Sequence, residues 1–468
     1  MRKNKGIRSM QCVTALVLAL AVAGCGAAGT QEAVTTVAPA PAEEVQEELV
    51  VQEPPVEEEQ KEETADAAET STQDVAKEEE EEEDVKTTPF LIIPKDLPDN
   101  EAIAFTMGLG AGYNLGNTFD AYVDSGLAAD HSDEMKTETA WHGVETTREI
   151  IHEIAAGGFG YIRIPVSWHN HILDDNVTIS PVFLDRVNEV VDWALDEGLY
   201  VIINIHHDNH PEANGYYPDS AHAAQSKKYV SRIWQQVAER FKDYDDHLIF
   251  ESLNEPRLVG HENEWWFNPA SPSADVKDSI DCINELNQIF LDTVRSVDGP
   301  HRTCYVMCPG YDASTDGATT GAFKLPTDAP DIDNRVILAV HEYKPYSFAL
   351  EEGGTDAFNS IKYGDVQDIN AFADKLYVRY VQKGIPVIIG EFGARDRGGN
   401  TAARADFAGY YTAKCWSCGI PCTWWDNGAL GGDGEVFAIL DRRDCTWAHP
   451  EIKDALIEYA KPFSEYEQ

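Results

Sequence analysis

Two glutamates carry the most legible chemistry in this chain. Leu248-Ile-Phe-Glu-Ser-Leu-Asn-Glu-Pro256 begins as an apolar run and ends on Asn254-Glu255-Pro256. The run reads as a strand buried on both faces of a parallel sheet, and Pro256, which has no N–H for a ladder, ends it. Pro386-Val-Ile-Ile-Gly-Glu391-Phe-Gly393 has the same form. One glutamate at a strand end is more often solvated or salt-bridged than reactive. Two of them, each closing its own buried strand, match the carboxyl pair needed to hydrolyse a glycosidic bond.

Those strands need a scaffold. From about Lys95 onward, strands alternate with helices. The patterning predicts strands at Gly110–Gly116, Tyr161–Val166, Tyr200–His206, Leu248–Leu253, Thr303–Met307, Val336–Val340, Val387–Gly390 and Cys422–Trp425. It predicts helices at Thr146–Ala156, Pro181–Glu197, Ala221–Tyr244, Ile280–Val297, Val366–Lys383, Ala402–Ser417 and Pro450–Tyr459. Ser180-Pro181 marks a capped helix start, and Gly198, Gly299 and Gly384 mark helix stops. Eight strands with intervening helices predict an α/β fold, a (β/α)8 TIM barrel over residues 95–468, with reactive groups at the carboxyl ends of the strands.

Most of the unusual residues lie at those ends. Strand one runs into Asn114-Leu-Gly-Asn-Thr-Phe-Asp120, and strand two carries Arg163 and ends near Trp168. Strand three ends His206-His207-Asp208, strand six His341-Glu-Tyr343, and strand eight Trp424-Trp425-Asp426-Asn427. A lone histidine on such a strand is usually a satisfied core residue. Packing does not explain polar and aromatic groups converging on one rim from seven strands. His261–Asp275, rich in Trp, Asn and Pro, reads as a loop on the same face.

The 468 residues carry a net charge of −46, unevenly spread. Met1–Arg8 is basic and Val13–Ala23 apolar, shorter than the ~20 residues that span a bilayer. Residues 1–25 therefore read as a secretory signal. Val22-Ala-Gly-Cys25 resembles the bacterial lipobox, which implies a lipid on Cys25; a plain secretion signal cleaved nearby is the alternative. Residues 26–94, with an unbroken acidic run from Glu78 to Asp84, read as a disordered, self-repelling linker. The only membrane contact expected is the lipid anchor.

The acidity argues against nucleic acid and is compatible with an uncharged substrate. Beyond Cys12 and Cys25, seven cysteines remain, an odd number, so core or free thiols are expected. Cys415-x-x-Cys418 lacks a second such pair, and His206-His207-Asp208 lacks further ligands at zinc spacing. No metal site and no cofactor are expected.

In order, Asn114-Leu-Gly-Asn-Thr, Arg163-Ile-Pro-Val-Ser-Trp168, Ile203-Asn-Ile-His-His207, Leu253-Asn-Glu-Pro-Arg257, His341-Glu-Tyr343, Ile389-Gly-Glu-Phe-Gly393 and Trp424-Trp-Asp-Asn-Gly428 resemble the motifs of glycoside hydrolase family 5 cellulases of clan A. The branch resembled is the bacterial one that holds endo-β-1,4-glucanases and xyloglucanases. The likeness covers about Leu109 to Tyr459. One departure is Trp141-His142-Gly, where relatives have Gly directly after Trp.

The resemblance implies a retaining, endo-acting hydrolase of β-1,4-glucan, monomeric and extracellular. Glu255 corresponds to its general acid/base and Glu391 to its nucleophile. Arg163 and Tyr343 would keep Glu391 an anion, and Asn254 would hold the sugar 2-hydroxyl. His206 and His341 would orient the carboxylates and the sugar, with His207 beside them. Asn114 and Asn427 join the substrate-binding set. Trp425 would stack on the sugar, with Trp424 as the alternative. Trp168, Trp265 and Trp266 line further subsites or serve packing. The alternatives are xyloglucanase, lichenase, xylanase or mannanase activity, or a surface glycan-binding protein without catalysis.

Overall fold

A short helix, α1 (Glu101–Gly108), plugs one end of a barrel built by the strands that follow it. Asn100 starts it, its Oδ1 accepting the N–H groups of Ala102 and Ile103 at 2.9 and 3.1 Å. Ala102 packs among Tyr161, Ile202, Ile249, Met307, Ile337 and Ile388, and Phe105 stacks on Tyr305 at 3.9 Å.

The fold is that of a computed structural model describing residues 90–462, apart from 125, 129, 211–214 and 433. Eight parallel strands close in chain order. They are β1 (Gly112–Leu115), β2 (Tyr161–Ile164), β3 (Tyr200–Asn204), β4 (Leu248–Glu251), β5 (Val306–Pro309), β6 (Val336–His341), β7 (Val387–Phe392) and β8 (Cys422–Asp426). Around them run α2 (Arg148–Ala156), α3 (Pro181–Asp196), α4 (Ala223–Arg240), α5 (Ala274–Ser296), the short α6 (Thr315–Thr319) and α7 (Tyr346–Ala349), α8 (Tyr363–Arg379), α9 (Thr401–Ser417) and α10 (Pro450–Tyr459). A small hairpin, β9 (Leu440–Asp441) and β10 (Thr446–Trp447), lies outside the barrel. The predicted (β/α)8 architecture is present.

Several details differ from expectation. The helices α1, α6 and α7 and the hairpin were not anticipated, because each is too short to show a clear period. β5 starts at Val306, not Thr303, because Pro300–Thr303 coil into a 3-10 turn. Ser180 does not cap α3; its hydroxyl donates to Glu134 Oε1 at 2.9 Å. Gly198 and Gly384 do stop their helices, at φ of +82° and +80°. All seven cysteines among the described residues are unpaired.

The predicted signal, Cys25 and most of the acidic linker lie outside the described residues. Packing is established from Phe90, whose ring meets Tyr410 and Tyr459 at 5.5 and 4.9 Å.

Strand parity decides what enters the barrel. Successive side chains on a strand point to opposite sides. On β2 this sends Ile162 and Ile164 to the outer core and Tyr161 and Arg163 inward. By the same rule Asn114, Asn204 and Glu251 point in from β1, β3 and β4, forming a polar layer above the apolar plug. β7 breaks the rule. Ile389 and Phe392 both pack outside, three residues apart, because a bulge inserts one extra residue between them. The bulge aims Glu391 into the mouth, where parity alone would send it out. Gly390 makes it possible, since a Cβ there would lie 2.9 Å from His341 Nε2.

Candidate active site

Arg163 organises the polar layer. Its Nε donates to Glu251 Oε2 at 2.7 Å, and one terminal nitrogen donates to Asn114 Oδ1 at 2.9 Å and Glu391 Oε1 at 2.7 Å. The other donates to Asn254 Oδ1 at 2.8 Å. The guanidinium is fully buried, and its charge is balanced by Glu251 and Glu391. Glu251 also accepts from Asn204 Nδ2 at 2.9 Å.

Glu391 receives a second donor, the Tyr343 hydroxyl at 3.1 Å. Across the barrel, the loop after β4 carries Glu255. Its Oε1 accepts from His341 Nδ1 at 3.0 Å, and its Oε2 lies 3.4 Å from Arg257. One oxygen each of Glu255 and Glu391 and one nitrogen of His341 lie within 4.8 Å of one another. Asn254 has its Oδ1 taken by Arg163, so only its NH2 remains to meet a ligand.

Charge on His341 divides the two carboxyls. Burial alone would strip the His341 proton, but the Glu391 charge and the bond to Glu255 raise its pKa above the ordinary 6.5. Burial also works to raise Glu255, and the bond and charge of protonated His341, with Arg257, overcome it and hold this carboxyl at about 2. Burial raises Glu391, and the Glu255 anion adds to that against His341 and Arg163. Moving the proton from His341 to Glu255 reverses the pair. Glu255 becomes neutral, while Glu391 keeps the permanent guanidinium and the tyrosine hydroxyl and stays an anion.

Trp425, also inward-facing, lies parallel to His206 at 5.9 Å and 2°. His206 accepts from Asn204 Nδ2 at its Nδ1, 3.1 Å away, which leaves its Nε2–H to donate. His207 lies 5.5 Å from the Trp141 ring, which is 41% exposed. Trp265 and Trp266 stand out from the loop after β4, 61% and 70% exposed, and Trp265 stacks on Arg257 at 3.8 Å.

The barrel thus brings together Glu255, Glu391, Arg163, Asn254, His206, His207, His341, Tyr343 and Trp425. Four other expectations need correction. Trp424 has the opposite parity to Trp425, is fully buried and donates to Phe437 O. Trp168 is also fully buried, with Nε1 donating to Asn204 O at 2.9 Å. Asn114 sits beneath Arg163, where its Nδ2 donates to Gly390 O at 2.9 Å. Asn427 braces the following loop by donating to Glu435 O and accepting from Ala429 and Phe437.

Sequence reasoning missed Glu251, hidden in the apolar run of β4. A lone charge in a buried strand requires a partner, and Arg163, equally out of place on β2, was the available signal. At the Trp141-His142 departure, His142 Nε2 lies 3.3 Å from Thr118 Oγ1.

Among the described residues, two donor clusters have metal-like spacing, Asp120–His206–His207 and Glu255–His341–Glu391. The second has the Arg163 guanidinium 2.7 Å from Glu391, which opposes a cation there. In the first, Asp120 is already engaged by the N–H groups of Asn117 and Thr118 at 3.0 and 2.7 Å.

Residues 127–431 match the family model described as cellulase (glycosyl hydrolase family 5). Endoglucanase A of Clostridium longisporum is 38% identical over 350 residues, 75% of this chain and 64% of that protein. The chain thus spans less than two thirds of that relative. Endoglucanase 1 of Ruminococcus albus is 38% identical over 354 residues, 75% of this chain and 79% of its own length. The solved structure of a GH5 family lichenase from Caldicellulosiruptor sp. F32 is 48% identical, with a TM-score of 0.76 over 79% of this chain and 98% of that one. Sequence, barrel and carboxyl pair agree on one placement: the chain belongs to glycosyl hydrolase family 5.

Proposed function

We propose that the chain is a retaining endo-β-1,4-glucanase, with Glu391 as nucleophile and Glu255 as general acid/base. The observation that carries this is the spacing of the pair, with an oxygen of each within 4.8 Å of the other. Retaining glycosidases place their carboxyls ~5–5.5 Å apart, whereas inverting ones leave ~6.5–9.5 Å for a water between them. In the first step Glu391 attacks the anomeric carbon, the glycosidic C–O bond breaks, and Glu255 gives its proton to the departing oxygen. In the second, Glu255 takes a proton from water, whose oxygen attacks the same carbon and releases Glu391. Between turnovers that proton can rest on His341, and it passes across their 3.0 Å bond to Glu255 before the first step. The Asn254 NH2 meets the 2-hydroxyl, and Trp425 is the face on which the sugar stacks.

Two substitutions test the roles. Glu391→Ala removes the intermediate, and azide restores turnover with inversion. Glu255→Ala lowers polymer hydrolysis by about 10²–10⁴-fold, yet an activated aryl glycoside still gives a burst, and azide releases a product of retained configuration. Near-normal activity of both variants on polymer refutes the assignment.

Cellulose-type glucan is the substrate we propose, supported by the endoglucanase relatives. The 48% likeness to a lichenase supports mixed-linkage β-glucan as the second reading. A non-catalytic glycan binder has no need of a closely spaced, charge-divided carboxyl pair. We further propose that residues 1–25 direct export, that Cys25 carries a lipid, and that the acidic linker holds a monomeric catalytic domain off the cell surface.

A further inference from the structure

One half-buried acid near the mouth has no part in the double displacement. Asp312 follows β5, and its Oδ1 has no hydrogen-bond partner among the described residues. Its backbone is left-handed at φ +56°, and so is that of Ala313 at +45°. Two such non-glycine residues in a row are strained, and strain of this kind persists where the surroundings enforce it. The enforcing contact is visible: Asp312 N–H donates at 2.9 Å to Pro256 O, next to Glu255. The strained turn is therefore fastened to the loop that carries the proposed acid.

The carboxyl so placed faces Arg257. That guanidinium is shared by Glu255 Oε2 at 3.4 Å, Glu264 Oε1 at 3.3 Å and Asp312 Oδ1 at 3.9 Å. One cation cannot neutralise three carboxylates in a half-dry site. We propose that Asp312 is a positioning residue that competes with Glu255 for Arg257 and thereby sets the strength of the general acid. When Glu255 is an anion, Arg257 sits with it and Asp312 keeps a proton. When Glu255 takes the proton, Arg257 is released to Asp312, which ionises in its place. No proton leaves the cluster in this exchange.

The groups facing Asp312 are Glu255, Arg257 and Glu264 from the β4 loop and Glu342 from the end of β6. Those facing Glu255 also include His341, His207 and Arg257, with Glu391 and Glu435 sensing its charge. Burial first, then the Glu255 charge, raises Asp312 well above the ordinary carboxyl range, consistent with its holding the proton while Glu255 is charged.

The inference rests on Glu255 as acid/base, and pH profiles test it separately. Asn tolerates the left-handed backbone, so Asp312→Asn keeps the turn and removes only the ionisation. Arg257 is then left to Glu255 and Glu264. The alkaline limb of kcat/KM on a neutral glucan such as hydroxyethyl cellulose should move to lower pH by roughly half a unit or more. Arg257→Gln removes the cation and should move the same limb to higher pH. Opposite shifts support the proposal. A purely structural Asp312 changes Tm and leaves the limb in place, which overturns it. If Asp312→Asn does not fold, an unmoved limb in Arg257→Gln overturns it equally. The burst of Glu255→Ala on an activated glycoside reports on Glu255 alone, so failure of the acid/base assignment shows there.

Discussion

Arg163 shows how far one side chain can organise a site. It is buried, and its hydrogen bonds reach Glu251, Asn114, Glu391 and Asn254. Removing one partner of a buried pair costs about 3–5 kcal/mol, because the remaining charge is uncompensated. Glu251→Leu is therefore expected to lower stability by about that amount and to lower kcat, since Arg163 loses the anchor that aims it at Glu391. Urea melts and kcat on one glucan check both effects; unchanged values remove Glu251 from the account. The pH profile follows from the charges. As the proposed nucleophile, Glu391 must be an anion, and its pKa is raised, so activity should rise with pH through a value above the ordinary 4.5. The proton shared by His341 and Glu255 must be present, and the His341 pKa is raised, so activity falls through a value above 6.5. A bell between those limbs is expected in kcat/KM. A limb below either reference value contradicts the arrangement. Glu255, Glu391, Arg163, His341 and Tyr343 were legible as candidates because each is a polar residue where a buried strand has no other use for one. Glu251 was not, because a single charge inside Leu-Ile-Phe-Glu-Ser-Leu reads as part of the run.

At the scale of elements, the β7 bulge is the feature on which the mouth depends. Gly390→Ala places a Cβ 2.9 Å from His341 Nε2 and 3.5 Å from Glu251 Oε1. Overpacking of this kind costs about 1–3 kcal/mol, and displacement of His341 and Glu391 should lower kcat more than it raises KM. Steady-state kinetics with a melting curve decide; an alanine variant with normal kcat speaks against the bulge as the aiming device. At the opposite end, Phe105→Ala opens the plug beneath Tyr305 and should cost about 2–3 kcal/mol, below the range for a fully buried Phe. That change sits far from the mouth and should leave kcat near wild type. Strand count, order and barrel closure could be read from the alternation of apolar runs with helical stretches. The bulge could not, since it exists only relative to the neighbouring registers. The choice between Trp424 and Trp425 also needed parity, which Thr423 supplies by meeting the inward Tyr161 hydroxyl at 2.8 Å.

At the scale of the whole molecule, a strongly acidic chain carries a barrel whose mouth holds the proposed catalytic pair. The folded unit should survive limited proteolysis as a fragment beginning between about Thr87 and Asn100; a stable product that keeps residues 40–80 contradicts a linker there. Mass spectrometry of the native N-terminus decides the anchor, with a lipidated Cys25 expected and an unmodified terminus at another residue rejecting it. Rates on cellulose, xyloglucan, mixed-linkage glucan, xylan and mannan settle the substrate, because the loops around the mouth and not the shared pair select the chain that enters. The most direct test of the central claim is the configuration of the first product. Proton NMR during hydrolysis of a cello-oligosaccharide should show the β-anomer of the newly formed reducing end appearing first, with the α-anomer growing in only by mutarotation. Initial appearance of the α-anomer would mean single displacement by water, and would contradict a covalent intermediate on Glu391.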